Sequence, residues 1–238
     1  MRVKATVCLP TYNERENLEK MVRALGPHGV DVLVIDDGSP DGTGEIADRL
    51  AAELGYVSVL HRERKEGIGR AYIAGFHRVL AGHSELVLEM DCDFSHDPAD
   101  VPRLIAACEG GADLALGSRY VPGGGTRNWG LVRRAISWGG SFYARALLGV
   151  GVRDLTGGFK CFRRAVLETL DLDAIESKGY AFQIEMTYRA FNRGFRIVEI
   201  PIVFLDRTLG ESKMSKNIVR EAIWMVWRLR WHAMRGTL

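Results

Sequence analysis

The 238-residue chain contains no Asn-x-Ser/Thr sequon, and its four cysteines form no CxxC pair. That spacing excludes a zinc ribbon or a thioredoxin-like redox couple. Cys8, Cys108 and Cys161 sit beside apolar residues and read as small core side chains in a reducing compartment. No stretch reaches the roughly 18–20 continuous apolar residues that a membrane span needs. Met1 to Pro10 lacks the long apolar run of a signal peptide and reads as a strand. The protein is therefore expected to be soluble, or to lie on a membrane surface without crossing it. An excess of one charge is missing too: 32 basic against 30 acidic residues leave a net charge of +2. That balance argues against a general nucleic-acid binder. Gly67-Ile68-Gly69 lacks the third glycine of a dinucleotide fingerprint, and Gly123 to Gly125 is not followed by the Lys-Ser/Thr of a P-loop. The histidines are scattered. There is no internal repeat and no low-complexity linker.

What is present has the balance of a globular protein, with 47% hydrophobic and 26% charged residues. Short apolar runs alternate with helical patterns. Val3–Leu9, Val32–Ile35, Val57–Leu60, Leu86–Met90 and Asp113–Leu116 read as strands. Helices are expected from Asn13/Glu14 to about Leu25, from a cap at Asp41 to about Leu54, over Gly67–Leu80 and over Pro98–Cys108. This alternation predicts an α/β fold with a mostly parallel sheet flanked by helices. After Tyr120 the pattern changes. Pro122 to Gly125 reads as a flexible loop, Leu131–Leu148 and Tyr180–Asn192 as helices, Thr156-Gly157-Gly158 as a turn before a short strand near Phe159–Phe162, and Arg196–Val203 as an extended run. We read one catalytic domain over 1–214, with a nucleotide-binding half over 1–120 and an acceptor-binding half over 121–214. An amphipathic helix follows over 215–238.

Ligands of such sheets bind beyond the carboxyl ends of the strands. Three polar clusters fall there: Thr11-Tyr12-Asn13-Glu14, Asp36-Asp37 and Asp91-Cys92-Asp93. Asp91 and Asp93 share one side of an extended backbone. Two carboxylates so placed repel unless a cation lies between them, and Mg²⁺ or Mn²⁺ would share them with a substrate's phosphates. Alone, the pair is as often a solvated turn; the buried run of Val87–Met90 favours function. Asp37 can accept hydrogen bonds from a base or a ribose, while Asp41 caps a helix.

The segments Leu9 to Glu14, Val34 to Thr43, Met90 to Asp93 and Gly117 to Tyr120 resemble family-2 glycosyltransferases of the GT-A (Rossmann-like) fold. With Gly210 to Met214 and Arg127-Asn128-Trp129, the resemblance narrows to polyprenol (dolichol) phosphate mannose synthases, actinobacterial ones above all. It spans Val3 to about Trp227. It implies inverting transfer of mannose from GDP-mannose to a polyprenyl (dolichyl) phosphate. By position, Pro10, Tyr12, Glu14, Ile35 and Asp37 would hold the guanosine, and Asp91, Cys92 and Asp93 the diphosphate and metal. Arg119, Arg207 and Lys213 would contact phosphates or the sugar. The family often has Gln two residues after the second Asp, where this chain has Ser95. Ser95, His96 or water would then complete the metal's ligands.

Charge arguments fit that implication. Leaving-group charge would be offset by metal at Asp91 and Asp93, aided by Arg207 and Lys213. The acceptor phosphate needs cations of its own, and Arg127, Arg133 and Arg134 cluster near Arg119. Trp129, Leu131, Ile136 and Trp138 beside them suit a lipid phosphate. Residues 207–213 could close as a lid. Asn217–Met234 mixes Trp with Arg on one side, which suits a membrane interface; with the resemblance, the protein is expected on the cytoplasmic face of the membrane, with room for a membrane-spanning partner protein. Rival readings are a UDP-sugar-dependent transferase, a sugar-nucleotide nucleotidyltransferase and a non-catalytic nucleotide-binding subunit.

Overall fold

The computed structural model describes residues 3–175, 177, 179–206, 216–236 and 238. Nine strands are defined: β1 (Ala5–Thr11), β2 (Asp31–Asp36), β3 (Val57–His61), β4 (Leu86–Glu89), β5 (Leu114–Ser118), β6 (Gly125–Arg127), β7 (Lys160–Arg163), β8 (Ile197–Pro201) and β9 (Val203–Leu205). Eight α-helices accompany them: α1 (Leu18–Leu25), α2 (Thr43–Glu53), α3 (Ile68–Leu80), α4 (Val101–Glu109), α5 (Leu131–Leu148), α6 (Arg164–Thr169), α7 (Tyr180–Asn192) and α8 (Lys216–Met234).

Seven strands form one sheet in the order β3-β2-β1-β4-β7-β5-β8, with β7 antiparallel to both of its neighbours and the other pairs parallel. The central strands are buried on both faces, which explains their continuous apolar runs. Along β1, Val7 and Leu9 enter the core beneath α1, α2 and α4, while Cys8 faces α3 and α7 from the other side. Helix α1 buries Leu18, Met21, Val22 and Leu25, the i, i+3, i+4, i+7 stripe of a helix docked on a sheet. The cap expected at Asp41 falls one residue later, on Gly42, while Asp41 accepts hydrogen bonds from both the backbone N–H and the hydroxyl of Thr43 at the start of α2. Cys8, Cys92, Cys108 and Cys161 are all buried free thiols.

The second half builds a third core cluster from α5, α7 and α8, in which Leu148, Ile184, Met225 and Leu229 are buried. Strands β6 and β9 pair in parallel as a separate ribbon. The glycine run expected to be a flexible loop therefore ends inside a strand at Gly125. A Cβ on Gly124 would lie 2.5 Å from the Ser118 carbonyl oxygen, so close backbone approach accounts for at least one of those glycines. Among the described residues no helix is long and apolar enough to cross a membrane.

Candidate active site

The strand order brings the C-terminal ends of β2, β1, β4 and β5 to one edge of the sheet. Because β7 runs the opposite way, its entry turn, Thr156-Gly157-Gly158, reaches the same edge. A cleft of about 530 Å³ opens there, a size suited to a nucleotide-sized ligand. Pro10, Tyr12, Glu14, Asp37, Asp91, Cys92, Asp93, Arg119 and Arg133 all line it. The topology thus gathers clusters that are far apart in the chain.

On the β1–β2 side of the cleft, Asp37 lies just past β2 and is ion-paired with Arg62. Burial pushes its carboxyl above the usual aspartate range, against the pull of Arg62. Lys65 lies 3.9 Å from the centroid of the Tyr12 ring, and both residues face the cleft. Asn13 adopts φ 61°, and the backbone N–H groups of Asn13 and Glu14 donate to Ser39 and Thr43. The loops after β1 and β2 are thereby tied together. Ile35 is fully buried in the sheet, where its side chain packs over Gly75 rather than lining the cleft.

At the centre, Asp91 accepts a hydrogen bond from the Tyr72 hydroxyl at 3.3 Å. Asp93 accepts one from the Ser95 backbone N–H at 3.0 Å, closing an Asx turn through Phe94. Two carboxylates at a strand end fit a divalent ion shared with a diphosphate. They do not make a full protein cage: among the described residues no cluster of three or more His, Cys, Asp or Glu could hold a metal. Ser95 is completely buried and its hydroxyl has no hydrogen-bond partner, but it does not line the cleft. His96 does, stacked on Phe159 with ring centroids 5.0 Å apart.

On the wall formed by β5, α5 and the turn before β7, Arg119 is buried and clamped by Asp154, which accepts from its Nε at 2.7 Å and its Nη2 at 2.6 Å. Asp154 also accepts from the Arg119 backbone N–H, and its own backbone N–H and that of Arg153 donate to Glu199. Arg133, on α5, pairs with Asp206 at 2.6 Å. Ser137 and Thr156, neither singled out by the sequence reading, complete this wall. Of the four arginines expected around the acceptor phosphate, the structure brings together Arg119 and Arg133. Arg127 lines a separate hollow of about 380 Å³ with Asp97, Asp100 and Arg103. Arg134 is exposed on α5 and does not line the cleft. Arg207 and Lys213 lie outside the described residues, as does the expected lid.

The fold is that of an α/β enzyme with its cleft at the carboxyl edge of the sheet, and the sequence profile described as Glycosyl transferase family 2 matches residues 6–171. The chain belongs to that family and is a glycosyltransferase. It is 51% identical to the polyprenol monophosphomannose synthase of Mycolicibacterium smegmatis over 95% of this chain and 88% of the relative. It is 50% identical to the undecaprenyl-phosphate mannosyltransferase of Micrococcus luteus over 99% of both chains. Among solved structures it resembles glucosyl-3-phosphoglycerate synthase from Mycobacterium tuberculosis bound to Mn²⁺ and UDP. The TM-score there is 0.71 at 22% identity, covering 96% of this chain and 80% of that one. A mannosyltransferase from Pyrobaculum calidifontis in complex with GDP-Man and Mn²⁺ superimposes with TM-score 0.58 at 15% identity, over 99% and 75% of the two chains. Those two likenesses establish the GT-A-like fold.

Proposed function

We propose that this protein transfers mannose from GDP-mannose to the phosphate of a polyprenyl monophosphate at the cytoplasmic face of a membrane, giving polyprenyl phosphate mannose and GDP. The observation that carries the reading is one cleft with carboxylates at its centre and two arginines on one wall. Near-full-length identity of about one half to two polyprenyl-phosphate mannosyltransferases supports the donor and acceptor classes.

Asp91 and Asp93 would hold a Mg²⁺ or Mn²⁺ ion, which when bound offsets charge on the departing diphosphate. Tyr12, Glu14 and Asp37 would contact the nucleoside. Arg119, fixed by Asp154, and Arg133 would orient the acceptor phosphate behind the anomeric carbon. A phosphate oxygen attacks that carbon, the bond to the diphosphate oxygen breaks on the opposite side, and the configuration inverts. The acceptor is already anionic near neutral pH, so no general base is required.

The test is a donor and acceptor assay with purified protein and a short polyprenyl phosphate. Mannosyl product is expected from GDP-mannose, with loss on chelation and recovery with Mg²⁺ or Mn²⁺. Product from UDP-glucose alone would overturn the donor assignment. Asp91→Ala and Asp93→Ala are expected to lower turnover by about a hundredfold or more, and full activity in either would remove the metal from the mechanism.

A further inference from the structure

Two guanidinium groups meet a single indole ring on the acceptor wall. Trp129 lies between the ribbon strand β6 and the start of α5, and Asn128 before it holds φ 64°. The Trp129 ring centroid is 4.2 Å from the Arg133 guanidinium carbon and 5.5 Å from that of Arg119. Phe204 packs edge-on against the same ring at 5.2 Å.

Each arginine already has a carboxylate. Arg119 donates to Asp154 through Nε and Nη2 and to Thr156 through Nη2, and Arg133 engages Asp206 through Nη1. Both guanidinium groups lie within cation–π reach of one ring, whose electron-rich face attracts each of them. The second observation is independent of the first. The indole N–H of Trp129 is buried and has no hydrogen-bond partner among the described residues. Indole nitrogen is a donor only, so the group that completes it must be an acceptor. A tetrahedral anion has oxygens enough for an indole N–H and two neighbouring guanidinium groups at once.

We infer that Trp129 is a binding residue for the acceptor phosphate. Its N–H donates to one phosphate oxygen, and its ring holds Arg119 and Arg133 at the spacing that two further oxygens require. This rests on the acceptor being a lipid phosphate, as proposed above, and the experiment separates the two ideas.

Farnesyl phosphate is titrated into the full chain by calorimetry without donor, with GDP titrated as the control. If the unmodified protein does not bind farnesyl phosphate, the acceptor reading fails and this inference with it. If it binds, Trp129→Phe, which keeps a ring and loses the N–H, is expected to weaken binding about tenfold. Trp129→Leu, which loses both, is expected to weaken it about a hundredfold. GDP affinity stays unchanged in both. In turnover, Trp129→Phe raises KM for the acceptor and leaves kcat intact. The indole ¹H–¹⁵N signal absent from Trp129→Phe is expected to move downfield when farnesyl phosphate is added to the unmodified protein. Unaltered farnesyl phosphate affinity in Trp129→Phe, or a signal that does not move, overturns the donor role. Equal affinities in the Phe and Leu variants overturn the spacing role. Weakened GDP binding in Trp129→Phe would show the ring to be a structural wedge and overturn both.

Discussion

Phe94 holds φ 57°, a left-handed backbone that an aromatic residue seldom adopts. Such a residue costs about 1–3 kcal/mol and persists only where its surroundings impose it. Here the strain turns the chain so that Asp93 receives the Ser95 N–H, aiming the second carboxylate of the pair proposed to hold a metal. Asn tolerates this conformation, whereas a β-branched side chain resists it. Phe94→Asn is therefore expected to keep Mn²⁺ affinity within about threefold, while Phe94→Ile weakens it about tenfold or more. Titration followed by electron paramagnetic resonance reads both, and equal affinities would separate the strain from metal binding. The acidic half of the site was legible because Asp91-Cys92-Asp93 is contiguous and follows an apolar run. Asp154, Ser137 and Lys65 were not. Each is unremarkable in its own segment and gains meaning only from a partner: Arg119 lies 35 residues before Asp154, and Tyr120 bonds Ser137.

Strand β7 shows the same limit at the level of elements. Its neighbours were readable from periodicity, and α5 and α7 have the boundaries their patterns predict. β7 was expected only as a short strand, and nothing local reveals that it inserts antiparallel between β4 and β5. That insertion is what delivers Thr156 and Gly158 to the cleft. It also buries Lys160 against Glu89, one strand over, with 3.9 Å between the charged groups and both side chains fully inaccessible. Lys160 donates to the Gln183 carbonyl at 3.0 Å, and Glu89 has no hydrogen bond to either carboxyl oxygen. Burial pushes the Glu89 carboxyl up to about 7 and the Lys160 ammonium down to about 8, each moderated by the other's charge. Removing one partner strands a charge. Lys160→Met is expected to destabilise the fold by about 3–5 kcal/mol, whereas Lys160→Met with Glu89→Gln costs less than half of that. Denaturant unfolding of the two single variants and the double variant closes the cycle, and additive losses would show that the pair does not couple.

At the scale of the whole molecule, the exposed apolar surface is concentrated on two helices that pack against one another, α5 and α8. Arg133, Ser137 and Gly140 turn one face of α5 to the cleft, while Leu131 is 80% exposed and Val132, Trp138 and Phe142 are exposed with it. Helix α8 buries Met225, Val226 and Leu229 and leaves Trp224 at 72% exposure, with Trp227, Trp231 and Met234 also outside. So α8 both packs on the core and presents its tryptophans outward. Clustered exposed aromatics on a monomer mark an interaction surface. The cations on these helices, Arg134 and Arg145 on α5 and Arg228 and Arg230 on α8, fit an anionic bilayer. The cleft beside α5 would then face the headgroup layer where a polyprenyl phosphate presents its phosphate. Sedimentation with vesicles containing phosphatidylglycerol is expected to capture the protein, with weaker capture on pure phosphatidylcholine and at high salt. Leu131→Glu with Val132→Glu, and Trp224→Glu with Trp231→Glu, are each expected to lower the partition coefficient about tenfold or more. None of the four residues lines the cleft, so turnover of a water-soluble short-chain acceptor should persist in both variants. Vesicle binding equal to that of the unmodified protein in both would assign this face to some other partner and leave the enzyme to meet its lipid substrate by another route.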